Sequence, residues 1–302
     1  MQAQRSPLPD GRWHFQHGPI DLIIGAAGEA CSLDAAHQAA WERFGEVLPE
    51  LVQELVQLRL PVSGPCRLQG PVARRMWQAC QPLSQDFITP MAAVAGAVAE
   101  ELIACYQRPG VARAWVNNGG DIALHLAPKE SLRVGLYADL ARLDAVQLQH
   151  GLTMDGQFSV SADMPVRGIA TSGWRGRSFS LGIADSVTVL AHTAAQADAA
   201  ATIIANAVNV ADERIERQSA SALKDDSDLG DLLVTTLVPA LPEAKVRQAL
   251  QAGLAKAQVL RAAGLVWSAL LTCQNQSLGL PAVTGAGARP AVAREPRGLA
   301  LA

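Results

Sequence analysis

At 302 residues, 49% of them hydrophobic and only 18% charged, the chain can build a real core, and disorder over most of its length is excluded. A formal net charge of −3, without Lys/Arg clusters interleaved with aromatics, argues against a nucleic-acid partner. A membrane partner is disfavoured on similar grounds, since there is no basic amphipathic face and no run of ~18 apolar residues.

Residues 1–19 are polar, punctuated by Pro and Gly, and carry no apolar leader; residues 20–25 then read as a short strand closed by a glycine turn. Ala36, Ala40, Phe44, Val47, Leu51, Leu55 and Leu58 recur at helical spacing and predict a helix over 33–58, which Pro49 should kink or divide. Residues 61–71 form a loop and 72–80 a short helix bearing Arg74 and Arg75. Thr89 and Pro90 look like the N-cap and first position of a helix rich in Ala, Val and Gly. So many small residues permit a close backbone approach, either by a neighbouring element or by a ligand.

Strands are expected over 112–117, 122–126, 132–137, 155–161, 169–172 and 185–191, and a helix over 194–208. Residues 212–231 are charge-rich, with four Asp between 225 and 231; the EF-hand spacing and its closing Glu are missing, which favours a solvated turn over a cation loop. A strand over 232–237 precedes a helix over 242–271 interrupted at Gly264, and residues 281–302 have no periodicity and are expected to be disordered. The loose alternation of strands and helices indicates an α+β or mixed α/β fold, taken as one unit over 1–280. Cys31, Cys66, Cys80, Cys105 and Cys273 lie far apart without a Cys-x-x-Cys pair, which fits a reducing compartment and a cytoplasmic location.

Three segments carry candidate chemistry. On the 194–208 helix Asp198, Thr202 and Asn206 recur every fourth position, with Asn209 on the same stripe; at ~100° per residue the first three fall within about 80° of arc. The rest of that helix is small or apolar, so it should be buried nearly all round. A lone carboxylate there must be hydrogen-bonded, paired or bound to a cation, and an oxygen-rich stripe suits Mg²⁺ held by Asp198 and Thr202. The alternative is an Asp that caps a neighbouring segment and a Thr that bonds back to its own helix. The turn formed by Asn117, Asn118, Gly119, Gly120 and Asp121 offers unobstructed backbone N–H groups to a phosphate, although Asn-Gly is also a common hairpin signal. Thr171, Ser172 and Gly173, followed by Arg175, Arg177 and Ser178, gather hydroxyls and guanidinium groups suited to phosphate oxygens, or else form a solvated surface loop. No Gly-x-Ser-x-Gly, His-Glu-x-x-His or Walker-type motif occurs.

In order along residues 85–210, these segments resemble the ApbE family of flavin transferases. That family shares a small-residue helix, an Asn-x-Gly-Gly-Asp turn, an Ala-Thr-Ser-Gly turn, a Ser-Val-Thr-Val strand and an Ala-Asp-Ala-x-x-Thr helix, matched here by residues 92–100, 117–121, 170–173, 186–189 and 197–202. The resemblance implies a two-lobed α+β fold with mixed or antiparallel sheets packed against helices. It also implies FAD and Mg²⁺ as ligands, and transfer of FMN to a threonine or serine of an acceptor flavoprotein with AMP leaving. Carried over by position, Asp198 and Thr202 hold the metal, residues 117–121 face the nucleotide, and Thr171 and Ser172 lie beside its phosphates.

Two departures accompany the match. Residues 175–182 replace the family's His-x-x-Asp-Pro-x-Thr-Gly segment, and Ala95 stands where a lysine precedes the helix glycine, only Glu100 matching the family's acid. Arg175 and Arg177 thus join Asp198 as candidate catalytic residues, able to take over leaving-group or substrate contacts. The alternatives are a non-catalytic flavin-delivery module, or an enzyme on the same scaffold with another anionic small molecule as substrate. A homo-oligomer is compatible with all three.

Overall fold

The computed structural model describes residues 2–136, 156–176 and 178–281. Arg177, the predicted strand ends at Tyr137 and Asp155, and almost all of the 281–302 tail lie outside the described residues. The fold is α+β. Its centre is a nine-stranded sheet in the order β1-β2-β3-β4-β5-β8-β9-β12-β13, from β1 (Gln4–Pro7), β2 (Trp13–His17) and β3 (Ile20–Gly28) through β4 (Val111–Asn118), β5 (Asp121–Leu126), β8 (Gly168–Ser172) and β9 (Ser186–Ala191) to β12 (Ser268–Cys273) and β13 (Gln276–Leu280). Every pairing is antiparallel, so the alternative of a mixed sheet does not hold.

Side chains of these strands alternate between two cores, as the pleat requires. Ala114, Val116, Ala123, Ala170, Val187 and Val189 face the helices, whereas Trp115, Ile122, Leu124, Ile169 and Leu190 face the second core. Covering that second face is the hairpin of β6 (Ser131–Leu136) and β7 (Gly156–Ser161), which contributes Leu132, Val134, Phe158 and Val160. The helical layer comprises α1 (Ala30–Gln53), α2 (Leu55–Leu58), α3 (Pro71–Cys80), α4 (Val94–Ile103), α5 (Ala194–Ala207), the short α6 (Ala220–Leu223) and α7 (Glu243–Ala262). A separate hairpin pairs β10 (Glu216–Ser219) with β11 (Leu233–Leu237).

Several sequence expectations need correction. Within the polar N-terminal segment, for which no element was expected, β1 and β2 pair around a turn at Gly11, whose φ of +83° suits glycine. Pro49 lies inside α1 without ending it; the division comes at Glu54, whose carboxylate accepts from the Gln69 and Gly70 amides ahead of α3. Of the seven apolar positions along this stretch, Leu55 alone is not fully buried. Thr89 and Pro90 do stand at the N-cap and first position, but of a 3₁₀ turn (Pro90–Ala93) that the Thr89 side chain does not cap, and α4 begins only at Val94. The helix expected over 242–271 stops at Ala262; Gly264 (φ +76°) turns the chain, and the following residues pair with β9 as β12. Burial alternates from Ser268 to Leu271, as fits a strand, and Thr272 and Cys273 are buried as well.

Candidate functional site

The helices α4 and α5 cross so closely that a Cβ on Gly96 would lie 2.3 Å from the Ala194 carbonyl oxygen. The small residues of α4 thus serve a neighbouring helix. At this crossing each helix caps the other. Asp198 Oδ2 accepts from the Gly96 N–H in the first turn of α4 (2.9 Å), and Glu100 Oε2 accepts from the Ala195 N–H in the first turn of α5 (3.2 Å). First-turn amides have no partner inside their own helix, so a carboxylate from a neighbour satisfies them and meets the positive end of the helix dipole. Thr193 adds its hydroxyl as the local N-cap of α5, accepting from Gln196 N–H.

Glu100 is in turn held by Arg75 (3.1 Å), which also reaches Glu101 (2.7 Å). Arg43 joins Glu101 (2.7 Å) to Glu50, gripping the latter with two nitrogens at 2.7 Å each. Burial alone would raise the Glu101 carboxyl, but Arg75 and Arg43 more than offset it and bring the group below its ordinary range. Asp198 has no such cation among the described residues. Burial pushes it up to about 7, with the Gly96 and Ala95 amides opposing only part of the rise. By surface the residue as a whole is half-buried.

The two turns connect to this crossing through hydrogen bonds. Gly119 and Gly120 form the β4–β5 hairpin turn with φ of +67° and +113°, and Asn117 Oδ1 accepts from Gly120 N–H (2.8 Å). Asn118, 5% exposed, donates through Nδ2 to the Ala95 carbonyl next to Gly96 (3.1 Å). Asp121 Oδ1 accepts from Thr171 N–H (3.1 Å), and the Thr171 hydroxyl pairs with that of Thr188 (2.9 Å). Asn118, Asp121, Thr171 and Asp198 therefore belong to one linked group. A Cβ on Gly120 would meet nothing within 4 Å, so the turn faces open space.

Further from Asp198, roles diverge from the sequence expectation. Asn206 Oδ1 accepts from Ser180 Oγ (3.1 Å) and Leu181 N–H (2.9 Å), and Asn209 donates to Leu181 O (3.2 Å), so the far half of the stripe fastens the 180–182 loop. The hydroxyl of Thr202, half-buried between Asp198 and Asn206, makes no hydrogen bond with any described residue. At the end of β8, Gly173 packs so tightly under Asp185 that a Cβ on it would lie 2.3 Å from the Asp185 carbonyl oxygen. The Asp185 carboxylate accepts from Trp174 Nε1 (3.2 Å) and Gln274 N–H (2.6 Å). Arg175 lies over the Trp174 ring (5.0 Å) with its Nε 3.7 Å from Asp185. Ser172 is half-buried and Ser178 exposed. Sequence reasoning noted Glu100 as the family's acid and Arg75 on its helix but gave neither a part in this assembly, because the partner of Glu100 lies about a hundred residues away in sequence.

Among the described residues no three His, Cys, Asp or Glu side chains are grouped as metal ligands, and no helix is long and apolar enough to cross a membrane. A family model described as "AbpE bacteria" matches residues 5–280. A UPF0280 protein of Methanopyrus kandleri is 35% identical over 216 residues, covering 71% of this chain and 78% of the relative. Another, of Methanosarcina barkeri, is 32% identical over 228 residues, covering 73% and 81%. The chain belongs to this family. Among solved structures, the flavinyl transferase ApbE of Pseudomonas stutzeri in its apo form is 14% identical with a TM-score of 0.41, covering 92% of this chain and 93% of that one. An ApbE protein of Thermotoga maritima is 11% identical with a TM-score of 0.40, covering 89% and 93%.

Proposed function

We propose that the protein binds FAD with Mg²⁺ and cleaves its pyrophosphate, passing FMN either to a Thr/Ser hydroxyl of an acceptor protein or to water, with AMP leaving. The observation that carries this reading is the Asp198 carboxylate: half-buried, tied to main-chain N–H but to no cation among the described residues, and pushed up to about 7. A carboxylate so under-compensated fits a hard cation, and the Thr202 hydroxyl one turn away is uncommitted to any described residue. With one carboxylate in reach, the donor set suits Mg²⁺, which typically takes one or two carboxylates and completes its shell with waters and substrate phosphates. When bound, that ion supplies neutralisation of charge on the pyrophosphate and on the departing phosphate. The Gly120 N–H is already taken by Asn117 Oδ1, which leaves the Gly119 N–H of this open turn for the nucleotide, and Asn118, Asp121 and Thr171 hold that turn in register with the start of α4.

AMP release from FAD in the presence of Mg²⁺ tests the reading in wild type and Asp198→Ala; equal background rates in both reject catalysis. Asp198→Asn should weaken Mg²⁺ affinity and turnover together, on the order of 100-fold or more, because the cation's main counter-charge is lost. A second reading, a flavin-binding module without turnover, is favoured by Arg175: it stands where the resemblance expects a histidine segment, yet leans on Trp174 and Asp185. Saturable FAD binding with no AMP release would select it.

A further inference from the structure

The nine-stranded sheet ends on two strands that are built differently. At one end lies β1, which carries Arg5, its guanidinium over the Trp13 and Trp41 rings (5.5 and 5.0 Å), and which finishes on Pro7. A charged side chain and a proline are common means of keeping an edge strand from pairing with another chain. At the other end β13, Gln276–Leu280, has neither. Its register with β12 runs without a break from Gln276↔Cys273 to Leu280↔Ala269, so no bulge turns it aside. Among the described residues no strand pairs with its outer side.

The two faces of β13 differ as well. Leu278 and Leu280 join the core that the helices share, whereas Ser277 and Gly279 are exposed on the opposite face. Opposite Gly279 stands Leu270 of β12, one of the exposed large apolar side chains. An edge that is uncharged, free of bulges and small on its exposed face is a template for one more antiparallel strand.

Symmetry and charge select the strand that fits. A twofold axis perpendicular to the sheet sets a strand antiparallel to its own copy, which continues the order already present in the sheet. It also brings each edge residue near its own counterpart, so that any charge would meet the same charge. β13 has no charge to repel, while β1 would set Arg5 against Arg5. Residues 282–302, which follow β13 directly, are a poorer match by sequence, since Pro290, Pro296, Gly285, Gly287 and Gly298 interrupt them.

We propose that the protein forms a twofold dimer in which β13 pairs with β13 of a second copy, joining the two sheets into one. This does not depend on the flavin reading. Sedimentation over a wide concentration range measures association of the full chain in wild type, Gly279→Lys and Ser6→Lys, with hydrogen exchange and a melting curve for each. Wild type should dimerise, and amides within 276–280 should gain protection as concentration rises while those within 4–7 do not. A Cβ on Gly279 meets nothing within 4 Å and its φ lies outside the left-handed region, so Gly279→Lys should melt as wild type. Its dimer dissociation constant should nevertheless rise at least about tenfold, because two lysines are brought together across the axis. Ser6→Lys, which adds the same charge on the other edge, should dimerise as wild type.

A wild type that stays monomeric overturns the proposal. So does a dimer that gives no added protection within 276–280, or one that Gly279→Lys leaves unchanged or Ser6→Lys weakens equally. Should Gly279→Lys fail to fold, Ser277→Lys takes its place with the same outcomes, Ser277 being exposed on the same face.

Discussion

Asp198 faces two opposed requirements. As a cap it must stay against the Gly96 amide, and as an acid it is pushed up to about 7 by burial, above its ordinary 3.8. A carboxyl whose folded value exceeds its unfolded one binds its proton more tightly in the folded state. Its contribution is therefore largest below the unfolded value and declines as pH rises from about 4 through about 7. In chelator-treated protein, Asp198→Asn keeps an acceptor oxygen for Gly96 and has no charge to bury. Its melting temperature at pH 8 should exceed that of wild type by on the order of 5 °C, with the difference vanishing by pH 4. A constant difference across that range would show that Asp198 does not titrate in it. The residue type and its apolar setting were legible in the sequence. The amide that answers it was not, because Gly96 precedes it by 102 positions.

Between elements, the contact that matters most is the α4–α5 crossing, where Gly96 and the reciprocal caps fix both helix starts. Helix propensity alone would favour Gly96→Ala by ~1 kcal/mol, but the new methyl would sit 2.3 Å from a backbone oxygen that cannot rotate away. The expected net result is a loss of about 2 kcal/mol in urea unfolding. Gly45→Ala in α1 is the matched comparison: nothing lies within 4 Å of its new Cβ, so it should gain up to about 1 kcal/mol. The acidic 225–231 loop also acquires a role at this scale. Asp226, Asp228 and Asp231 engage Arg59, Thr89 and Ser221, which makes the loop a fastening, as its lack of EF-hand spacing allowed.

For the whole molecule, a site assembled from β4, β5, β8, α4 and α5 should respond to its ligands as one unit. FAD and Mg²⁺ together, at about a hundredfold excess over their dissociation constants, should raise the melting temperature by roughly 5 °C, and either alone by less. No shift with both present would speak against the proposed function. Periodicity by itself determined that an α+β fold forms, where most strands and helices lie, and which side chains of α1 and α5 enter the core, since those follow from local spacing of apolar residues. The four-residue spacing on α5 singled out Asp198, while turn composition and the family resemblance, not periodicity, singled out Asn118, Asp121 and Thr171 as candidates. Only the tertiary structure decided that the sheet is antiparallel throughout, that residues 268–273 leave the helix to pair with β9, and that Asp198 and Glu100 cap each other's helices. Those outcomes depend on hydrogen bonds and close approaches between segments far apart in the chain, which no local pattern encodes.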